Sequence, residues 1–208
     1  MKVELLFITP GAEKLIETAG RTSYLSFSKE GKDTEKAFIR MLIKGGHHSV
    51  LEHAYATFRI SGVSRAFTHQ LVRHRLCSYT QQSQRYVNES NFNYIEPPLI
   101  EGNSEAHSIF TGFMNEAKKA YSELQRLGIK KEDARFALPN AVETQIVVTA
   151  NLREWRHIIE LRGILQAQWE IRKAAIEILR ILKQYTPTIF EDLEIDEDNA
   201  KIKKIEIK

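Results

Sequence analysis

The 208-residue sequence has one cysteine, Cys77, so no internal disulfide is available, a usage that fits a reducing compartment. It has no run of about 18 apolar residues, the length a helix needs to cross a bilayer. No small-residue cleavage site follows Met1-Lys2-Val3-Glu4, and a cytoplasmic protein without a membrane partner is expected. No GxGxxG follows a strand-like segment, which removes the phosphate turn of the Rossmann folds. There is no HExxH and no cysteine cluster. His47, His48, His53, His69 and His74 therefore read as ordinary polar or core side chains, and no metal is expected. An excess of one charge is also missing. Lys and Arg number 30 against 27 Asp and Glu, a net charge of +3, and no RNA-binding signature is present, so no nucleic-acid partner is expected.

What the sequence does have is one domain's worth of ordinary core-forming residues. Residues 3–9 read as a strand, followed by a helix to about residue 19 with Pro10 in its first turn. Asp33 is placed to cap a helix that turns Ala37, Phe38, Met41 and Leu42 inward and stops at Gly45-Gly46. Residues 47–53 read as a polar turn and 54–61 as an alternating strand. A helix is expected over 63–74 with Phe67 and Leu71 inward; 78–87 is polar and untyped, 88–93 is loop, and Pro97-Pro98 blocks regular structure. A long helix over 104–127 ends at Gly128, and a short one over 131–138 ends at Pro139. Residues 141–150 form a β-branched strand. Helices follow over 152–161 and 165–185, the second with Ile171, Ala175, Ile178, Leu182 and Tyr185 on one stripe. From about residue 188 a charged, mobile tail is expected. The expectation is an α+β fold over 1–208, a single domain of long helices packed on a small sheet.

The placement of charge is more informative than its total. Residues 61–87 contain Arg65, Arg73, Arg75 and Arg85 and no acidic residue. A local basic cluster on a near-neutral chain points to a small anion. A helix continuing to His74 would put Gln70, Arg73 and His74 on one face. Guanidinium forks suit phosphate oxygens. Ser78, Thr80, Gln81, Gln82, Ser83 and Gln84 both donate and accept, as recognition of a pyrimidine edge requires. On residue types alone this is a nucleotide site or a solvated basic helix end with a polar loop.

Arg73-His74-Arg75, seven residues, then Ser83 resembles the RHR-x7-S signature of the flavin-dependent thymidylate synthases. Ser78 and Arg85-Tyr86 match its extended form, while Thr80-Gln81 stands where the common pattern has Asn-Glu. An amide at Gln81 cannot act as a carboxylate base. The segment from His47 to His53 resembles the family's GHxxxxEH, Arg135 the arginine before its Leu-Pro, and Asn151-Leu152-Arg153 its Asn-x-Arg. Leu161-Arg162 with Ala167-Gln168-Trp169-Glu170-Ile171 resembles its LR…AQWEI block.

The resemblance implies reductive methylation of dUMP to dTMP, with methylenetetrahydrofolate as carbon donor and FAD, reduced by NADPH, as hydride carrier. It also implies a homotetramer with shared active sites. It places Gln70, Arg73, Gln81, Gln82, Ser83, Gln84, Arg85, Arg135 and Arg162 at dUMP. It places His47, Ser49, Arg73, His74, Arg75, Gln81, Asn151, Arg153 and His157 at FAD. Arg162 is the expected catalytic group, stabilising negative charge on the uracil. Cys77 is the one thiol in the arginine-rich segment, where cations could lower its pKa, but it matches a variable position of the family. Ser83 has no paired base in sequence and reads as a nucleotide ligand. Arg156 and Glu160, one turn apart, read as a surface pair worth a few tenths of a kcal/mol.

Overall fold

The computed structural model describes residues 1–206. The fold is α+β, and its elements run β1 (Lys2–Ile8), α1 (Ala12–Thr22), α2 (Thr34–Lys44), β2 (Tyr55–Ser64), α3 (Arg65–Leu71), β3 (Ser78–Gln81), α4 (Pro98–Glu101), α5 (Ser104–Arg126), α6 (Lys131–Ala134), β4 (Glu143–Asn151), α7 (Leu152–Arg162), α8 (Trp169–Tyr185), β5 (Leu193–Asp196) and β6 (Lys201–Lys204). Four strands pair in the order β1-β2-β4-β3, and β5 pairs antiparallel with β6. The chain forms two compact units: Met1 with Ser61–Gln70 and Thr80–Ile146, and Lys2–Ile60 with Leu71–Tyr79 and Val147–Lys208. Positions 207 and 208 of the expected single domain lie outside the described residues.

The larger unit is built on apolar stripes. Along β2, Ala56, Phe58 and Ile60 alternate inward. Trp155 of α7 packs edge-on to Phe58 with ring centroids 5.1 Å apart, and its indole N–H donates to Ala56 O at 3.0 Å. On α8 the expected stripe holds at Ile171, Ala175, Ile178 and Leu182, but Tyr185, the last helical residue, is exposed. That helix starts at Trp169 rather than 165, because the Gln168 side chain accepts from the N–H groups of Glu170 and Ile171 at 3.0 and 3.2 Å.

The smaller unit centres on α5. Asn103 caps it, accepting from Glu105 N and Ala106 N at 3.1 Å, and Gly128 at φ 83° lets the chain leave its end. Met114 and Ala117 pack with Phe92 and Val142.

Several boundaries differ from the pattern. α1 begins at Ala12, because Gly11 in the left-handed region makes the turn and leaves Pro10 outside the helix. Asp33 precedes α2 without a side-chain cap bond, and Ile39, Leu42 and Ile43 face inward, while Ala37 and Met41 are exposed and Phe38 is half-buried. The expected turn at 47–53 is a 3-10 helix, His48–His53, anchored by buried Leu51. β2 continues to Ser64, whose hydroxyl accepts from Phe67 N at 3.0 Å, so α3 starts late. It also stops early: His74 N bonds Leu71 O at 3.1 Å in a turn. Pro98 opens α4 instead of blocking it, since its missing donor is needed by nothing in a first turn. The 131–138 segment is α6 followed by a 3-10 turn, Arg135–Ala137.

The largest correction is the tail. Residues Thr188–Phe190 form a buried 3-10 turn, β5 and β6 follow, and Ile189, Phe190, Leu193 and Ile202 are buried. Arg156 is not in a surface pair. It is 2% exposed and holds Asp192 with two 2.7 Å bonds, while Glu160 stays a secondary contact at 3.2 Å.

Candidate functional site

In the larger unit, the turn after α3 and the helix α7 bring basic and imidazole groups together. His74 is 5% exposed, and its Nε2 accepts from Nε–H of Arg162 at 3.0 Å. The His157 ring packs edge-on at 5.7 Å. Burial, then the charges of Arg162 and His157, lower the His74 pKa to about 4, so the ring is neutral near pH 7. A neutral ring is what lets Nε2 act as acceptor. Burial and the nearby Arg73 charge lower the Arg162 pKa. Glu154, also buried, faces His74 Nδ1 at 3.6 Å.

Arg73, His74, Arg75, Glu154 and His157 line a cleft of about 470 Å³. His48, Asn151, Arg153, Glu154, Arg156 and His157 line another of about 440 Å³. Asn151 is partly committed, since it caps α7 by accepting from Glu154 N at 2.8 Å. Arg153 is paired with Glu52 at the surface. His47, just before the 3-10 turn, and Ser49, within it, are exposed and line neither cleft. Gln70, on α3, shares no helical face with Arg73 and His74, because the helix ends at Leu71.

In the smaller unit, the second half of the signature lies on and after β3. Gln81 donates to Thr68 Oγ1 at 2.9 Å, and Gln82 to Glu89 Oε1 at 3.1 Å. Arg65 donates to Gln82 O at 2.7 Å. Ser83 Oγ accepts from Arg85 N at 3.2 Å. The Arg85 guanidinium bonds Glu132 at 3.1 Å, and Arg135 Nε donates to the Glu132 carbonyl at 3.1 Å, so both arginines meet at one residue. Gln84 is half-buried.

Cys77 does not behave as an activated thiol. Burial pushes its pKa up to about 11, opposite to what the neighbouring cations would do. Nearby, the Tyr79 hydroxyl lies 2.7 Å from Leu71 O and 2.8 Å from His74 O, tying down the turn that carries Arg73 to Arg75. Sequence reasoning missed Thr68, Glu154 and the anchoring role of the Tyr79 hydroxyl. For Glu154 a signal existed: it stands four residues before Ile158, on the inward stripe of α7, where a carboxylate needs a reason.

Ligand atoms of His74, Glu154 and His157 lie within 4.8 Å of one another. The His74 Nε2 lone pair is already used by Arg162, and the surrounding guanidinium groups oppose a cation. An anionic, hydrogen-bonding cofactor suits the site better. Exposed Arg73, Arg75 and Arg153 can meet phosphates, and among the described residues His48 Nε2 is buried without a partner. The donor set therefore fits FAD.

Comparison with known proteins agrees in kind. A family profile described as thymidylate synthase complementing protein matches residues 4–188. A flavin-dependent thymidylate synthase of Geobacter sulfurreducens is 44% identical over 200 residues, covering 92% of this chain and 86% of that one. The one of Mycolicibacterium gilvum is 45% identical over 202 residues, covering 89% and 81%. That of Mycobacterium tuberculosis is 43% identical over 202 residues with the same coverage. With agreement of this extent on top of the signature at Arg73 to Ser83, the chain belongs to the flavin-dependent thymidylate synthase family.

Proposed function

We propose that this chain makes dTMP by reductive methylation of dUMP, with methylenetetrahydrofolate as carbon donor and NADPH as the source of electrons. The observation that carries the reading is Arg162 held on neutral His74, beside Arg73. When bound, reduced FAD supplies the hydride that completes the methyl group. The protein's part is binding, orientation and electrostatics. Arg162 stabilises the negative charge that develops on the uracil when carbon 5 becomes nucleophilic. Arg73, Arg85 and Arg135 hold phosphate, and Gln70, Gln81, Gln82, Ser83 and Gln84 meet the nucleotide. His47, Ser49, His74, Arg75, Asn151, Arg153 and His157, with Arg73 and Gln81, hold FAD.

For Arg85 to reach phosphate it must exchange its bond to Glu132, an exposed pair that costs little to break. Chain 1–208 acts as one catalytic domain, in a cytoplasmic homotetramer whose sites are shared between subunits. The test is incubation of purified protein with FAD, NADPH, methylenetetrahydrofolate and dUMP tritiated at carbon 5. Tritium release to water that needs both folate and flavin is expected. Folded, FAD-binding protein that releases none would refute the reaction.

A further inference from the structure

A neutral imidazole carries one N–H and one lone pair, and which nitrogen holds which is set by its neighbours. Arg162 has only donors. Its Nε–H at 3.0 Å from His74 Nε2 requires the lone pair there, so the His74 proton sits on Nδ1. Nδ1 faces the Glu154 carboxylate, 3.6 Å away, and both side chains are over nine-tenths buried. A proton on Nε2 would oppose the Arg162 N–H, and in the neutral ring a carboxylate facing Nδ1 favours the tautomer that carries the proton there instead. Glu154 has its backbone fixed as well, since its N–H is taken by the Asn151 cap at 2.8 Å. The carboxylate thus projects from the first turn of α7 and Arg162 from the last, with the ring of His74 joining them.

We propose that Glu154 is a positioning residue for Arg162, acting through His74. Its carboxylate selects the Nδ1-protonated tautomer, which keeps Nε2 an acceptor and fixes the guanidinium plane. The Nη groups of Arg162 are then presented in one orientation to a ligand. The logic is that of a carboxylate orienting a histidine that in turn orients the reacting group. The inference rests on the reading of Arg162 as a dUMP ligand for its functional consequence. Its geometric part does not.

The test uses the full-length protein with FAD bound. Glu154→Leu removes the acceptor at similar volume, Glu154→Asp keeps the charge but withdraws it, and Glu154→Gln keeps a carbonyl acceptor. Nitrogen-15 spectra report the His74 tautomer and the Arg162 Nε–H signal, assigned with His74→Gln and Arg162→Lys. In Glu154→Leu, His74 should become a tautomer mixture and the Arg162 Nε–H signal should be lost to solvent exchange. The dUMP Kd should rise about tenfold or more. Glu154→Gln should restore both signals and lie within about threefold of the parent, and Glu154→Asp should fall between. In an Arg162→Ala background, Glu154→Leu should add nothing.

Unchanged tautomer and Nε–H signals in Glu154→Leu would overturn the proposal, as would a full additive loss on top of Arg162→Ala. If Glu154→Leu does not fold, the same two signals in Glu154→Asp decide it. A normal dUMP Kd in Arg162→Ala, with the two signals responding to Glu154 as described, would refute the role of Arg162 and leave the positioning chain standing.

Discussion

Asp192→Ala should be among the most destabilising single changes in this protein. In the folded chain the Asp192 carboxylate and the Arg156 guanidinium meet in a two-pronged pair, both bonds 2.7 Å, with side-chain exposures of 2% and 3%. Arg156 also donates to Ile189 O. Among the described residues, removing the carboxylate leaves a buried cation with a carbonyl and the partly exposed Glu160 as its partners. Breaking a buried pair in this way costs about 3–5 kcal/mol. For a chain of this length, each kcal/mol moves Tm by about 2–4 °C, so a fall of roughly 6–20 °C is expected. Urea unfolding followed by circular dichroism, at fixed protein and FAD concentration, measures the same loss. Replacing both partners with leucine should cost less than Asp192→Ala alone, because no charge is stranded.

The pair also sets a pH dependence. Burial by itself would raise the Asp192 pKa, but the hydrogen bonds and charge of Arg156, helped by Lys204, hold it below the usual carboxylate value. A depressed carboxylate pKa gives stability that is complete above the unfolded value. The stability is lost as pH falls through the lower folded value, so the gap between parent and Asp192→Ala should close only in acid. A cost below about 1 kcal/mol at neutral pH would refute the reasoning, and with it the claim that residues 188–204 are an anchored part of the fold.

Three further outcomes follow from the site and the packing. Arg162→Ala should lower the rate of tritium release by about 10²–10³-fold if it faces developing charge, read from single-turnover rates at saturating dUMP. Cys77→Ala should keep the parent rate within about twofold, and Cys77 should react slowly with iodoacetamide at pH 8, because burial pushes its thiol up to about 11. Fast alkylation that abolishes activity would reverse that assignment. Gly163→Ala should cost about 1–3 kcal/mol in urea unfolding, since a Cβ there would lie 2.5 Å from Ile202 Cδ1 and 2.7 Å from Ile159 O.

Much of this architecture is written in local pattern. The β2 alternation, the long apolar stripe of α8 and the stop at Gly128 are all visible as periodicity or turn chemistry, which depend on neighbours in sequence. The residues that were misread depend on partners far away. Arg156 and Glu160 look like any exposed helical pair until Asp192, thirty-six residues later, takes the guanidinium inside. The charge of 191–198 hid Phe190 and Leu193, and Ile202, flanked by lysines, gave no hint that it closes over Gly163. At the site, the signature is legible because it is a run of residue types at fixed spacing. It could not reveal that the helix stops at Leu71, that Gln81 and Gln82 already have partners, or that a carboxylate stands behind His74.

The interval between Arg75 and Ser83 can now be seen as a matter of parity. Along β3, Tyr79 and Gln81 are partly buried, while Ser78 and Thr80 are exposed. One of the inward pair pins the turn of His74 and the other docks on Thr68. Successive strand residues point to opposite sides, so losing or gaining one residue would swap inner for outer and send both groups into solvent. Two residues could be removed and the alternation kept, at the cost of about 7 Å of reach. A signature with a fixed count of seven is therefore what a short strand inside it demands. Variation in this family should alter which residues fill the interval far more readily than how many there are.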